Sequence, residues 1–384
     1  MTLSPEEYNR YSRHILLEEV GEKGQLALKN ANVLVIGAGG LGCPALQYLT
    51  ASGIGTIGII DGDTVQESNL QRQIIYTTSD IGLPKASCAA RRLGKQNPTI
   101  NFDVYDYPLS TLNAAEIIPK YDIIIDGTDN FATRYLINDA CVLWNKPLIH
   151  GSLLKFQAQV AVFNYLSDTV NQKRSSTYRC IFQIPPLPGS IQNCSDIGVL
   201  GVLPGIIGTL QATEAIKIIL GIGEPLVDSL LLIDSLSMTF SKITTERNEA
   251  NWGTIPRTAE ELRGMDYSFF CGNDNQDVQE IIASELLIHL SNTDKIELID
   301  IRNEDELPSL LSLLPHSAEA RKIPLKRLFD YTDAIDRVTK TVIICQSGSR
   351  SHNAVSQLTE FGFTNLYSLK GGIIALTQQI LQSQ

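Results

Sequence analysis

Cys345-Gln346-Ser347-Gly348-Ser349-Arg350 sets a thiol at the head of a short loop closed by an arginine. The loop follows an apolar, strand-like run, Thr341–Ile344, and precedes a helical stretch, Ser351–Glu360. A loop so placed aims successive backbone N–H groups at one sulfur, and a helix N-terminus favours an anion there. The species it would stabilise is a thiolate or a persulfide, with Arg350 adding positive charge. The plain alternative is a buried structural thiol at a strand end.

A second constellation lies near the N-terminus. Gly37-Ala38-Gly39-Gly40-Leu41-Gly42 fits G-x-G-x-x-G. Glycines let the backbone approach phosphate, and the following helix offers its N-terminus to the anion. Asp61 stands 19 residues after Gly42, where it can accept hydrogen bonds from ribose hydroxyls. These features alone suit a tight strand–helix turn, an NAD-dependent dehydrogenase or an ATP site. Ser68-Asn69-Leu70-Gln71-Arg72-Gln73, then Lys85, then Asp129-Asn130, turn the reading away from a dehydrogenase. Arg72 and Lys85 can neutralise a triphosphate and its leaving pyrophosphate. Asp129 can hold Mg²⁺, because a carboxylate suits a hard cation. Singly, Arg72 and Lys85 suit solvated surface, and Asp129 suits a turn or helix cap. A third candidate is Cys194, in Asn193-Cys194-Ser195-Asp196 ahead of a long apolar helix, where a thiol pKa can fall.

The elements that must position these residues alternate strand and helix. Asn32–Ile36 reads as a buried strand, about Pro44–Ser52 as a helix, Thr56–Ile60 as a strand ending at Asp61, and Tyr121–Ile125 as another. Leu203–Leu220 reads as a long, mostly apolar helix. Polar Asn164–Arg179 and proline-rich Ile184–Asn193 read as mobile loops over the sheet. The periodicity fades over Thr245–Asp277, which reads as a linker. Beyond it, Glu280–Leu290 (helix) and Ile296–Ile301 (strand) open a second α/β pattern. The expectation is a Rossmann-like parallel α/β domain over residues 1–272 and a smaller α/β domain over 277–384.

The 384-residue chain carries a net charge of -11, which argues against non-specific nucleic-acid binding. No apolar run reads as a membrane span, and the first residues do not read as a signal peptide. The 7 scattered cysteines suggest free thiols in a reducing, cytoplasmic setting. The histidines, spread from His14 to His352, suggest no metal cluster.

Over approximately residues 5–272 the chain resembles the MoeB/ThiF family of ubiquitin-activating-like adenylyltransferases. The likeness rests on Arg13 within Tyr11-Ser12-Arg13-His14-Ile15, the Gly37–Gly42 loop, Asp61-Gly62-Asp63, Ser68–Arg72, Lys85 and Thr128-Asp129-Asn130. It implies that Gly40, Asp61, Ser68, Asn69, Leu70, Gln71, Arg72, Lys85, Asp129 and Asn130 line ATP. It also implies that Arg13 reaches the neighbouring subunit's site in a homodimer. The partner would be a small ubiquitin-like protein whose Gly-Gly carboxylate attacks the α-phosphate. The cysteine matching Cys194 would take the activated acyl group as a thioester or acyl disulfide. Many relatives hold a structural Zn²⁺ with two Cys-x-x-Cys pairs. Here Thr177-Tyr178-Arg179-Cys180 and Ser268-Phe269-Phe270-Cys271 each lack the first cysteine. Zinc is therefore expected to be absent, since Zn²⁺ prefers Cys and His ligands.

Over approximately residues 277–384 the chain resembles the rhodanese family. Tyrosine phosphatases place one more residue between cysteine and arginine than the four found here, and the tighter loop suits sulfur better than phosphate. Asp300-Ile301-Arg302 and Leu369-Lys370-Gly371-Gly372 support the match. Pro315-His316-Ser317-Ala318-Glu319-Ala320-Arg321 departs from the usual Gly-His-Ile segment. Together the resemblances imply adenylation of a sulfur carrier, then sulfur delivery from Cys345, with a cysteine desulfurase or thiosulfate as donor. Molybdopterin synthesis, thiamine synthesis and tRNA thiolation are the pathways such proteins serve. The rivals are a dehydrogenase with an appended sulfurtransferase and a non-catalytic docking protein with relic sites.

Overall fold

Strands buried on both faces read as near-continuous apolar runs, and Asn32–Ile36 (β1) is one. Val33 and Val35 pack into one core, while Leu34 and Ile36 pack into another on the opposite face. In the computed structural model, Met1–Cys271 and Gly272–Gln384 form separate compact units. The structure describes residues 2–382 except 169, 172, 184–197, 251–254, 268–277, 293–294, 304–305, 307, 315–319, 329–330, 333–334 and 347.

The first unit is built on β1, Thr56–Ile60 (β2), Asn101–Tyr105 (β3), Ile123–Asp126 (β4), Leu148–Leu154 (β5) and Gln157–Phe163 (β6). Two short strands follow, Leu166–Asp168 (β7) and Lys173–Arg174 (β8), then Ser229–Asp234 (β9) and Thr239–Thr244 (β10). The large sheet runs β10-β9-β6-β5-β4-β1-β2-β3. The half from β5 to β3 is parallel, and the pairs β5–β6, β6–β9 and β9–β10 are antiparallel. The chain leaves β1 toward β2 on one side and reaches β4 on the other. Ligands bind outside the carboxyl ends of strands at such a switch point.

In the first unit three sequence expectations are corrected. Asn164–Arg179 is not a mobile loop: it contains β7 and β8, and Tyr178–Ile181 is helical. Two of its polar side chains, Asn164 and Arg179, have partners in the interior. The Asn164 side-chain amide donates to the carbonyls of Cys141 (2.9 Å) and Lys146 (3.0 Å). Arg179 forms a bidentate pair with Asp139 (2.7 and 2.8 Å), and Tyr267 donates to the same carboxylate at 2.7 Å. Removing one partner of such a buried pair costs roughly 3–5 kcal/mol.

The expected linker over Thr245–Asp277 is largely part of the first unit. Ala259–Gly264 is a helix, and Leu262 and Tyr267 are buried in its core. The periodicity faded there because a short helix and irregular segments bury isolated side chains. The helix Val202–Leu220 is long and apolar enough, by length and composition, to cross a membrane, contrary to the reading that no run is. Here it packs with Leu203, Ile207, Ala212 and Ala215 buried. Its buried Gln211 donates to the carbonyls of Asp126 (2.7 Å) and Ile149 (3.2 Å). Ile184–Asn193, like Cys194, lies outside the described residues.

The second unit has a five-stranded sheet of Glu280–Ile281 (β11), Ile296–Asp300 (β12), Ala320–Lys322 (β13), Lys340–Ile344 (β14) and Leu366–Leu369 (β15). Its order is β11-β15-β14-β12-β13, all parallel. The expected helix over Glu280–Leu290 is divided: β11 takes its start and a helix spans Ala283–Ser291.

Candidate active site

At the carboxyl ends of β1, β2 and β4 lies a cavity of about 360 Å³, within the roughly 300–1,000 Å³ typical of small-molecule clefts. Gly37, Gly39, Gly40, Asp61, Asp63, Arg72, Lys85, Asp129 and Asn130 line it. Gly37 has φ +92°, and a Cβ there would meet the Gly127 carbonyl oxygen at 2.7 Å. The first βα turn therefore holds its shape only with glycine. Gly42 opens the helix Gly42–Ser52, so the turn and the helix N-terminus present N–H groups to the cavity.

Asp61 accepts from the backbone N–H of Ala38 (2.7 Å) and of Asp63 (2.8 Å). Burial raises its pKa, while Lys85 and these two N–H groups oppose that rise. Each carboxylate oxygen keeps acceptor capacity for a ribose hydroxyl. The buried Lys85 pairs with the exposed Asp63 at 2.8 Å. Ser68, Asn69, Leu70 and Gln71 are not among the lining residues. They form the turn that carries Arg72, whose guanidinium donates to the Ser68 carbonyl at 3.1 Å. Arg13, exposed on the short helix Ser12–Ile15, is likewise not among them.

Asp129 is exposed on the cavity wall. Asn130 caps the helix Phe131–Leu143 by accepting from the Thr133 N–H at 2.9 Å. Behind this turn, Asp126 accepts from the Thr128 N–H (2.9 Å) and hydroxyl (2.6 Å) and pairs with His150 at 2.9 Å. Burial alone would raise the Asp126 pKa, but His150, Arg134 and Thr128 outweigh it and bring it below the usual range. Burial lowers the His150 pKa, and Asp126 only partly offsets that. Arg134 donates to the Thr128 carbonyl at 3.1 Å and also lines the cavity. Sequence reading missed Arg134, although it sits four residues after Asn130, one helical turn along. Pro108 and Leu109, lining from the loop after β3, carried no such signal.

The glycine cradle, the acid beside the ribose position and the cations fit a nucleotide triphosphate. Among the described residues no cluster of three or more His, Cys, Asp or Glu could hold a metal by itself. Mg²⁺ is commonly held by one or two carboxylates together with substrate phosphates, and Asp129 fits that arrangement.

In the second unit Cys345 is fully buried at the end of β14. Its sulfur accepts from the Gly348 N–H (3.1 Å) and the Ser351 N–H (3.4 Å), and lies 3.5 Å from the Ser351 hydroxyl. Gly348, at φ +92°, turns the chain into the helix Ser349–Glu360, which a side chain would resist. Gln346 accepts from Arg302 at 3.0 Å, and Arg302 is itself held by Asp300 (3.0 and 2.8 Å). Arg350 does not present an uncompensated charge: Glu306 takes it in a bidentate pair at 2.8 and 2.6 Å. Nothing in the sequence spacing pointed to Glu306. Ser347 lies outside the described residues.

Comparisons with known proteins match one family within each unit. Residues 11–253 match the ThiF family and residues 283–379 the rhodanese-like domain. A probable adenylyltransferase/sulfurtransferase, MoeZ of Mycobacterium tuberculosis, is 40% identical, covering 98% of this chain and 95% of its own. A sulfur carrier protein adenylyltransferase of Thermus thermophilus is 47% identical, covering 71% of this chain and 99% of its own. The crystal structure of E. coli MccB with ATP superposes with a TM-score of 0.54 at 25% identity, covering 64% of this chain and 75% of that one.

Proposed function

Because this chain belongs to the ThiF family and carries a rhodanese-like domain, and so is an adenylyltransferase and sulfurtransferase that uses ATP, we propose that it activates and sulfurates the C-terminal Gly-Gly carboxylate of a small ubiquitin-like sulfur carrier. The observation that carries this reading is the pairing, on one chain, of a glycine-lined nucleotide cavity with a thiol cradled by backbone N–H groups. Family membership sets aside the dehydrogenase reading of the glycine loop.

In this reading the carrier's carboxylate oxygen attacks the α-phosphorus of ATP. The bond to the β-phosphate breaks and pyrophosphate leaves, giving an acyl-adenylate. The chain's part is positioning and charge neutralisation. Asp61 takes the ribose hydroxyls. Arg72 and Lys85 face the phosphates. Asp129 would hold Mg²⁺, which would supply positive charge to offset that of the phosphates. Arg13 completes the site of the neighbouring subunit in a homodimer. The terminal sulfur of a Cys345 persulfide then attacks the acyl carbon and AMP leaves. A thiol, with Cys194 the candidate, then attacks the Cys345 sulfur of the resulting acyl disulfide; the S–S bond breaks, the thiocarboxylate leaves, and an external thiol reduces the new protein disulfide. A cysteine desulfurase or thiosulfate supplies the sulfur. The setting is cytoplasmic.

The test is incubation with ATP and a Gly-Gly carrier in the absence of a sulfur donor. Pyrophosphate exchange that needs the carrier, and a carrier mass increased by AMP, are expected. Nicotinamide binding with no exchange would contradict the reading.

We also propose that zinc is absent. The Cys180 sulfur accepts from the N–H groups of Thr177 (3.3 Å) and Asn248 (3.3 Å) and lies 3.2 Å from the Thr177 hydroxyl. Thr177 thus meets this thiol as a hydrogen-bond partner where relatives place a second thiolate; Cys271 and Ser268 lie outside the described residues. Metal analysis of purified protein should find no stoichiometric zinc. One tightly held zinc per chain, lost on mutating Cys180 or Cys271, would overturn this.

A further inference from the structure

The cations around the Cys345 loop are matched by carboxylates. Arg302 is fully buried and paired with Asp300 at 2.8 Å. Arg350 lies in the chain between Gly348 and Ser351, the two residues whose N–H groups touch the sulfur. Both terminal nitrogens of Arg350 are held by Glu306, a bidentate geometry that fixes the pair. The pair is only partly exposed, 21% for Arg350 and 25% for Glu306, so solvent does not dissolve it. Lys370, next to the glycines that abut Gly348, pairs with Glu280 at 3.0 Å. Among the described residues at the loop, what remains to attract an incoming donor is the set of backbone N–H dipoles, not a net side-chain charge.

We propose that Glu306 is a specificity-determining residue for the sulfur donor: by cancelling the charge of Arg350 it disfavours dianionic donors such as thiosulfate relative to monoanionic sulfane donors. This rests on the sulfurtransferase reading of the second unit. In the step concerned, the Cys345 thiolate attacks the sulfane sulfur and a new S–S bond forms. The donor's own S–S bond breaks, and its electron pair leaves with sulfite from thiosulfate or with a sulfinate from a thiosulfonate. Both donors present the same sulfur chemistry and differ by one unit of charge. Coulomb energy is linear in that charge, so an effect of about tenfold on the dianion corresponds to about threefold on the monoanion.

The experiment measures persulfide formation on the full chain, trapped as thiocyanate with cyanide, using thiosulfate and methanethiosulfonate in parallel. Glu306→Gln should raise kcat/KM about tenfold for thiosulfate and about threefold for the thiosulfonate, and Arg350→Gln should lower both in the same proportion. Glu306→Asp, which keeps the charge, should stay near wild type. The wild-type protein supplies a measurement independent of any variant's folding. Its thiosulfate rate should be flat or rising from about 20 to about 500 mM salt, because there is no net attraction to screen. Equal changes for the two donors in Glu306→Gln, no change, or a steep fall of the wild-type rate with salt would overturn the proposal. Failure of every donor to load Cys345 would overturn it together with the sulfurtransferase reading, whereas loading without the charge ordering would overturn it alone.

Discussion

Replacing Asp129 by alanine is expected to lower carrier-dependent pyrophosphate exchange by roughly 10²–10³-fold, the cost of one preorganised electrostatic partner. Carrier binding should fall far less. The turn that presents Asp129 is held by other residues: Asp126 takes both the N–H and the hydroxyl of Thr128, and Arg134 takes its carbonyl. Asn130 caps the next helix independently. Asp129→Ala therefore removes a carboxylate from the cavity wall without removing the scaffold beneath it. The Asp126 carboxyl at its centre is ionised at neutral pH, since its pKa is lowered in the folded state. A carboxyl lowered on folding contributes stability above its unfolded pKa, and this is lost as pH falls through the folded value. The wild-type turn should thus stay anchored down through mildly acidic pH. Sulfur loading of Cys345 should be unchanged in Asp129→Ala. Unaltered exchange in this variant would refute the role given to Asp129.

The parts of this protein legible in its sequence are those in which local chemistry and local shape coincide. A strand–glycine–helix turn announces itself, because only glycine tolerates the φ of Gly37 and the contact behind it. The Cys345 loop does the same through Gly348. Apolar runs such as β1, β2 and β14 were legible because burial on both faces leaves no polar alternation. What was not legible depends on distant pairings. Asn164–Arg179 looks polar and loop-like, yet its Arg179 and Asn164 satisfy groups on the helix Phe131–Leu143 and the turn after it. Glu306 and Arg350 stand 44 residues apart, and no local pattern links them. Arg134 is the intermediate case, since its helical spacing from Asn130 could have marked it.

Replacing Cys345 by alanine is expected to separate the two half-reactions. Adenylation should persist, because Gly37–Gly42, Asp61, Arg72, Lys85 and Asp129 all belong to the first unit. Sulfur transfer should fail entirely, because alanine can carry no persulfide, and the thiolate is the nucleophile that takes sulfane sulfur. The Gly348 and Ser351 N–H groups would then face a methyl group in place of the sulfur they hold. Cys194→Ala should behave differently, leaving persulfide formation intact and impairing only steps after adenylation. The most direct measurement weighs the Gly-Gly carrier by mass spectrometry after incubation of wild type and Cys345→Ala with ATP and methanethiosulfonate. The expected result is a carrier bearing one added sulfur in place of oxygen with the wild type, and only unmodified or adenylated carrier with Cys345→Ala. A thiocarboxylate formed by Cys345→Ala at the wild-type rate would contradict the assignment of the second unit as the source of sulfur.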